Sequence, residues 1–342
     1  MAKITLNQRR HIAIDVGTSK TKIHIENLGL VFNAATLVAL DFKTRRVVAV
    51  GDDAKKFVGK LSGSLQLKYP MKRGVITDMA MLKLFLSAVL SKYKNELDGA
   101  IVTLACPTSV TTLERNSLIK SIKELGVYHV QAEDDVKLAL LGAGVDITKP
   151  NGYLCLDIGA GKSTAAIIAT NGTVCTKWSK SGGNSMDLDI IKHLKSKEQM
   201  LIGEITAESI KNSIATLIKT KEPLKTSAYG YDLNSGLPKE VILQDKDILK
   251  IVQSTFGNLT NLITTVLEEA PNELAGDVIK NGIVVTGGVA LIPGVKFYLE
   301  DFFEIPVRVA KNALTATIDG AIAHKELTIE DMEFSSQKEE FF

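Results

Sequence analysis

Tyr153 to Ala166 read Y-L-C-L-D-I-G-A-G-K-S-T-A-A, and the rest of the chain is organised around this stretch. Tyr153–Leu156 is a short apolar run that ends at Asp157. It predicts a buried strand, then a tight glycine turn, then a second strand. Gly159 and Gly161 can take positive φ and carry no Cβ, so backbone N–H groups can close on an anion. Ser163 and Thr164 add hydroxyls, and Asp157 at the strand end is placed to hold a metal ion through water.

The pattern occurs earlier as I-A-I-D-V-G-T-S-K-T-K, from Ile12 to Lys22. Asp15 and Asp157 each end an apolar strand, and Gly17 and Gly159 follow two residues on. Two such turns, separated by nearly half the chain, suggest a duplicated domain gripping one polyphosphate from both sides. Either turn alone reads as well as an ordinary hairpin with Asp and Gly at its bend; the pair does not. Gly161-Lys162-Ser163 resembles the end of a P-loop, G-x-x-x-x-G-K-[ST]. Leu156 stands where the first glycine is required, and Ser163 to Ala169 continue as a strand instead of a helix, so a P-loop is excluded.

The 342 residues suffice for two domains, each with its own core. With 45% hydrophobic and 23% charged residues, the composition is that of an ordinary globular protein. A net charge of +2 gives no electrostatic footprint for nucleic acid. Cys106, Cys155 and Cys175 lie in apolar runs without metal-ligand spacing and read as buried thiols in a reducing cytosol. No apolar run is long enough for a transmembrane helix. The N-terminus lacks a signal-peptide core, and Ile4 and Leu6 are too few for an amphipathic anchor.

Alternation predicts strands over 11–16, 21–25, 30–33, 36–42 and 47–50, then a short helix over 53–60 and a loop over 61–71. Helical periodicity follows over 78–97, with Asp78 as cap. Strand, helix, strand and helix then occupy 99–105, 111–125, 127–132 and 134–144, an α/β order. The pattern restarts with strands over 153–158, 163–169 and 173–179, and helices over 186–194 and 206–219. Residues 230–241 read as a polar connection and 245–269 as a long amphipathic helix. A strand over 282–286 ends at Gly287-Gly288, Pro293 opens a helix, and a strand at 307–309 and a helix at 315–324 finish the pattern. The tail from Glu326 is acidic and polar and reads as mobile, with Phe341 and Phe342 as a candidate partner-binding end.

These residues resemble the actin superfamily and, within it, the bacterial MreB family. Ile14-Asp-Val-Gly-Thr-Ser-Lys-Thr resembles its first phosphate loop and Asp157-Ile-Gly-Ala-Gly-Lys-Ser-Thr its second. Ile283-Val-Val-Thr-Gly-Gly-Val-Ala-Leu-Ile-Pro-Gly resembles the adenosine motif, and Pro107–Arg115 and Leu314–Gly320 the connecting segments at the hinge. Further matches lie at Val31–Asn33 with Thr36–Ala39, at Pro70–Asp78, at Gly203–Lys211 and at Gly236–Lys239. The divergence and the lysine-rich composition are similar to the MreB copies of wall-less, helical spiroplasma-type bacteria.

The resemblance implies an α/β, actin-like two-lobed fold from a duplicated mixed sheet with flanking helices, with ATP or ADP and Mg²⁺ in a cleft between the lobes. It implies a first lobe over 1–150, with a small subdomain near 33–72 and the 315–326 helix packing back on it. A second lobe spans 151–314, with a small subdomain near 185–250, and 327–342 is a mobile acidic tail. It further implies self-assembly into paired filaments, alone or with other MreB copies, in the cytoplasm, for cell shape or motility. A filament arises when a head-to-tail contact does not close into a ring. A small-molecule kinase of the same superfamily is the alternative; no substrate-binding insertion of the needed size is present, and a chaperone would need a further domain.

By the same resemblance, Asp15 and Asp157 position Mg²⁺ through water, since Mg²⁺ takes one or two carboxylates plus phosphate oxygens. Gly17, Thr18, Ser19, Gly159 and Gly161 wrap the phosphates, with Lys20, Ala160 and Ser163 in the same two loops. Gly287 and Gly288 lie against the adenosine, where a side chain would collide. Glu208 and Lys211, one helical turn apart, contact ribose and adenine, or else form a plain surface ion pair. Asp187 is an acidic position near the nucleotide.

Three departures from the family pattern bear on chemistry. Asp135 falls where a glutamate orients the attacking water, and it is one methylene shorter; Glu133 or Asp134 could substitute if the strand end shifts. Lys162 replaces a threonine that helps hold that water, so Asp135, Lys162 and Asp157 form a catalytic set expected to hydrolyse ATP slowly. Lysine cannot accept a hydrogen bond from water but can pair with a γ-phosphate, unless its stem turns to solvent. The family's membrane loop is here Lys92–Asp98, with only Tyr93 and Leu97 to offer, so direct lipid binding is expected to be weak or absent.

Overall fold

A computed structural model describes the backbone of residues 5–61 and 63–340, and side chains as far as residue 333. The chain forms two compact units. One comprises residues up to Asp146 and those from Thr315 onward; the other is Ile147–Leu314. The break precedes residue 150 because 147–149 pair with the second unit, where Thr170 and Asn171 donate to the carbonyls of Lys149 and Ile147.

The first unit is built on strands β1 (His11–Val16), β2 (Lys20–Ile25), β3 (Gly29–Ala35), β4 (Ile101–Cys106) and β5 (His129–Asp134). Their order is β5-β4-β1-β2-β3, with β1–β2–β3 antiparallel and β1, β4 and β5 parallel. β1 and β4 are buried at every residue, as a covered parallel pair must be. Because successive side chains point to opposite faces, β1 sends Ile12 and Ile14 to a core with Phe85, Leu86 and Leu90. It sends the small Ala13 to a second core with Ala105, Leu138, Ile318 and Ala321. The small residues let two helices, Asp135–Gly142 and Ala316–Ala323, come close to the sheet and to each other. Capping follows the sequence: Asp78 accepts from the Met81 amide at 2.9 Å, and Thr111 and Glu114 form a reciprocal capping box.

The second unit repeats the plan with β6 (Tyr153–Ile158), β7 (Ser163–Ala169), β8 (Gly172–Ser179), β9 (Ile283–Thr286) and β10 (Val307–Val309). The order is β8-β7-β6-β9-β10, with the same antiparallel and parallel pairings. The duplication expected from two acid–glycine turns is therefore a duplicated sheet. The long helix Asp245–Glu269 buries Ile248, Val252, Phe256, Leu259 and Ile263.

Several segments differ from their sequence reading. The polar connection is a hairpin, Lys225–Asp232 with Pro238–Gln244, beside a short strand Met200–Leu201. Its outward residues include Tyr229, Tyr231 and Ile242 while Ala228 is buried, an alternation hidden among polar neighbours. Leu65–Lys68, expected as loop, pairs with Val38–Asp41, which also pairs with Arg46–Val50. Asn272–Asn281 forms a further helix between the long helix and β9. β5 runs to Asp134, two residues past the expected end. The tail is helical over Lys325–Glu340, and its first turn is packed: Thr328 and Ile329 are buried, and Thr328 bonds back to His324. Ile4, Phe341 and Phe342 lie outside the described residues, as does the side chain of Phe334.

Candidate functional site

The first acid–glycine turn joins β1 to β2. Asp15, the penultimate residue of β1, sits opposite Lys22 of β2, and Lys22 Nζ lies 2.8 Å from Asp15 Oδ2. The turn closes when the Gly17 amide donates to the Lys20 carbonyl at 3.1 Å. A Cβ on Gly17 would stand 2.7 Å from that oxygen, so space excludes a side chain. Thr36 supports the turn: its hydroxyl donates to the Gly17 carbonyl at 2.7 Å and its amide to Ser19 at 3.0 Å. The Thr18 hydroxyl accepts from the Gly74 amide at 3.0 Å. Ser19 and Lys20 are exposed.

The second turn joins β6 to β7 with the same closure, Gly159 amide to Lys162 carbonyl at 2.9 Å. Asp157 is penultimate in β6, as Asp15 is in β1, and its Oδ1 accepts from the Thr286 hydroxyl at 2.9 Å. Lys162 does not turn to solvent. It is 7% exposed, and Nζ donates to Thr164 Oγ1 at 2.9 Å. Ser163 is spent on structure, donating to the Ser181 carbonyl at 2.6 Å. The helix Gly183–Lys197 starts against the turn, with the amides of Gly183 and Asn184 bonded to the carbonyls of Gly159 and Ala160. A Cβ on Gly182 would lie 2.6 Å from the Gly159 oxygen. Gly182-Gly183 ahead of a helix was the legible sign of this contact. Gly161 is buried in the bend.

The positive φ expected of Gly159 and Gly161 is not adopted; a Cβ on Gly159 would stand 3.0 Å from the Lys162 carbonyl oxygen, a tight approach that favours glycine. Positive φ occurs instead at Gly287, +85°, where a Cβ would stand 2.3 Å from the Ile158 oxygen. Gly287 thus fits its own β6 neighbour before any ligand. Gly288 would meet only Leu314, at 3.4 Å.

Lys211 pairs with Asp187, 24 residues away. Its Nζ hydrogen-bonds Oδ2 at 2.9 Å, lies 2.8 Å from Oδ1 off the bonding direction, and reaches the Gly183 carbonyl at 3.2 Å. Burial raises the Asp187 carboxyl above its usual range even with the Lys211 ammonium opposing it. The turn, the Gly182-Gly183 helix start and Lys211 therefore form one connected patch of the second unit.

In the first unit, the three acids at the end of β5 part company. Glu133 holds Lys137 at 2.8 Å and Gln131 at 2.7 Å; burial pushes its carboxyl up, but the ammonium and amide prevail and it lies below the usual range. Asp134 pairs with Arg115 at 2.5 Å. Asp135 begins the following helix, buried, with Oδ1 accepting from the amides of Val136 at 2.9 Å and Thr108 at 3.4 Å. Glu133 and Asp134 thus each pair with a basic side chain, while Asp135 bonds backbone amides at the helix start. Cys106 beside them is buried, and burial pushes its thiol up to about 11.

Asp15 and Asp157 each offer, within their own unit, hard carboxylate oxygens of the type that Mg²⁺ takes while keeping several waters. Among the described residues no group of three or more His, Cys, Asp or Glu is placed to hold a metal ion.

Residues 9–332 match the family model MreB/Mbl protein. The chain is 33% identical to the cell shape-determining protein Mbl of Bacillus subtilis strain 168, over 91% of this chain and 94% of that one. It is 32% identical to the cell shape-determining protein MreB of Escherichia coli K12, over 90% and 91%. The crystal structure of MreB5 of Spiroplasma citri bound to AMPPNP superposes with a TM-score of 0.90 at 37% identity, covering 96% of this chain and 99% of that chain. The MamK double helical filament, at 21% identity and a TM-score of 0.76, shares the fold. The motifs, the duplicated sheet and these matches over nearly the whole length agree: the chain belongs to the MreB/Mbl family of bacterial actins.

Proposed function

We propose that this chain is an ATP-binding bacterial actin that polymerises into paired cytoskeletal filaments for cell shape or motility, and that it hydrolyses ATP slowly. The observation that carries the reading is the repeated turn, with Asp15-Val-Gly17 and Asp157-Ile-Gly159 at identical places in two sheets of identical order. Relatives at 30–37% identity include an MreB5 whose structures hold AMPPNP or ADP.

In this reading, backbone amides of the turns 17–20 and 159–162 take the phosphates, and Asp15 and Asp157 orient metal-bound water. Mg²⁺, when bound, neutralises charge on the β- and γ-phosphates. Lys211, held by Asp187 next to Gly183, faces the nucleoside, with Glu208 on the same helix. Asp135 orients the attacking water with a short arm. Lys162, anchored on Thr164, holds a positive charge beside the turn but offers water no acceptor, so chemistry is slow.

Membrane attachment is weak in this reading. Leu97 is buried and Tyr93 packs on the core, so the 92–98 loop presents little apolar surface.

High-speed pelleting with negative-stain microscopy, in ATP, ADP or no nucleotide and with no second substrate, tests the proposal. Paired filaments favoured by nucleotide are expected. A soluble monomer in every condition refutes it and moves weight to the kinase alternative.

A further inference from the structure

The two turns share a backbone but differ in one charge. The residue facing Asp157 across the antiparallel pair is Thr164; the residue facing Asp15 is Lys22. Lys22 places its ammonium 2.8 Å from Asp15 Oδ2, and both side chains are mostly buried, 15% and 12% exposed. A cation so close to a partly desolvated carboxylate cancels much of its field and occupies one of its oxygens.

Resting on the nucleotide reading above, we infer that Lys22 is a built-in counter-ion for Asp15 that lowers the dependence of nucleotide binding on divalent metal. Asp15 has two consequences for a bound triphosphate. It attracts the metal that accompanies the phosphates, and without metal it repels the phosphates themselves. Lys22 weakens both. The metal gains less from Asp15, and metal-free nucleotide suffers less from it. Lys22 acts through Asp15, so it is a positioning and charge-setting residue.

The measurement is equilibrium binding of a fluorescent ATP analogue by anisotropy, with saturating Mg²⁺ or with EDTA. The full chain is compared with Lys22→Thr, which copies Thr164, and Lys22→Arg, which keeps the charge. The wild type and Lys22→Arg are expected to lose less than about threefold in affinity on removing Mg²⁺, and Lys22→Thr about tenfold or more. A merely structural ion pair would shift the melting temperature and leave that ratio unchanged. Equal ratios in wild type and Lys22→Thr overturn the inference. Should Lys22→Thr fail to fold, the wild type decides: a tenfold loss in EDTA overturns it, and a small loss with rescue of folding by Lys22→Arg supports it. If the wild type binds the analogue in neither condition, the nucleotide reading fails and this inference with it.

Discussion

Lys20 and Lys162 close the same four-residue turn in the two units, yet Lys20 is exposed and Lys162 is buried. The residue two positions on decides the difference. Thr164 offers Lys162 a hydroxyl acceptor at 2.9 Å. The corresponding Lys22 offers only another ammonium, already committed to Asp15. Equal backbones thus differ by one charge and in the placement of the closing lysine, and the buried Lys162 is the subject of the first expectation.

If Lys162 and the short Asp135 limit water positioning, Lys162→Thr combined with Asp135→Glu should raise single-turnover phosphate release by about tenfold or more. Each single change should do less than the pair. A wild-type rate already at the level of ordinary MreB proteins, or no gain from the double variant, contradicts the assignment.

Gly142 and Gly320 lie where two helices of the first unit cross. A Cβ on Gly142 would stand 1.8 Å from the Ala316 oxygen, and one on Gly320 1.8 Å from the Leu138 oxygen. Backbone atoms cannot yield as a side-chain tip can, so Gly142→Ala or Gly320→Ala should destabilise the protein by at least about 3 kcal/mol. Because both remove one contact, the double variant should fall short of the sum. Urea unfolding checks this, and a loss under about 1 kcal/mol would show that the crossing relaxes freely.

His11 provides a pH response. Burial first, and then the nearby Lys325, lower its imidazole to about 4, and its Nε2 lies 2.9 Å from Thr103 Oγ1. The folded state keeps His11 neutral while the unfolded chain protonates near 6.5. Stability is therefore unaffected above that pH and falls as pH drops towards 4, by about 3 kcal/mol from this group. His324, also lowered by burial, acts in the same direction. Carboxylates titrate in the lower part of that window, so the test is a comparison: His11→Gln should flatten the slope of stability between pH 6.5 and 4. An unchanged slope would assign the acid sensitivity elsewhere.

Lipid binding should be weak. Leu97 is fully buried, and the Tyr93 hydroxyl donates to the Val31 carbonyl at 3.5 Å, so the loop presents little apolar surface. Flotation with anionic liposomes should leave the protein at the bottom of the gradient. Strong co-flotation would contradict this expectation.

Much of the fold was legible because local pattern encodes it. Apolar runs ending in Asp15-Val-Gly17 and Asp157-Ile-Gly159 marked the strand ends, and Ile248 to Val266 marked the long helix by period alone. Asp78 announced its helix through capping. The hairpin around Gly230 was lost because its outward face carries Tyr229 and Tyr231 among charges, which blurs a period of two.

The sequence by itself determined the two acid–glycine turns, their repetition and the family. Tertiary structure alone decided which partners those residues take: Lys22 on Asp15, Thr286 on Asp157, Lys211 on Asp187, Gly142 against the backbone of Ala316. It also decided that the glycine at 159 serves close approach and the one at 287 positive φ. The reason is physical. Periodicity and turn chemistry act within a few residues and so are written in the local sequence. Ion pairs and backbone contacts depend on register and packing between segments far apart in the chain, which no local pattern specifies.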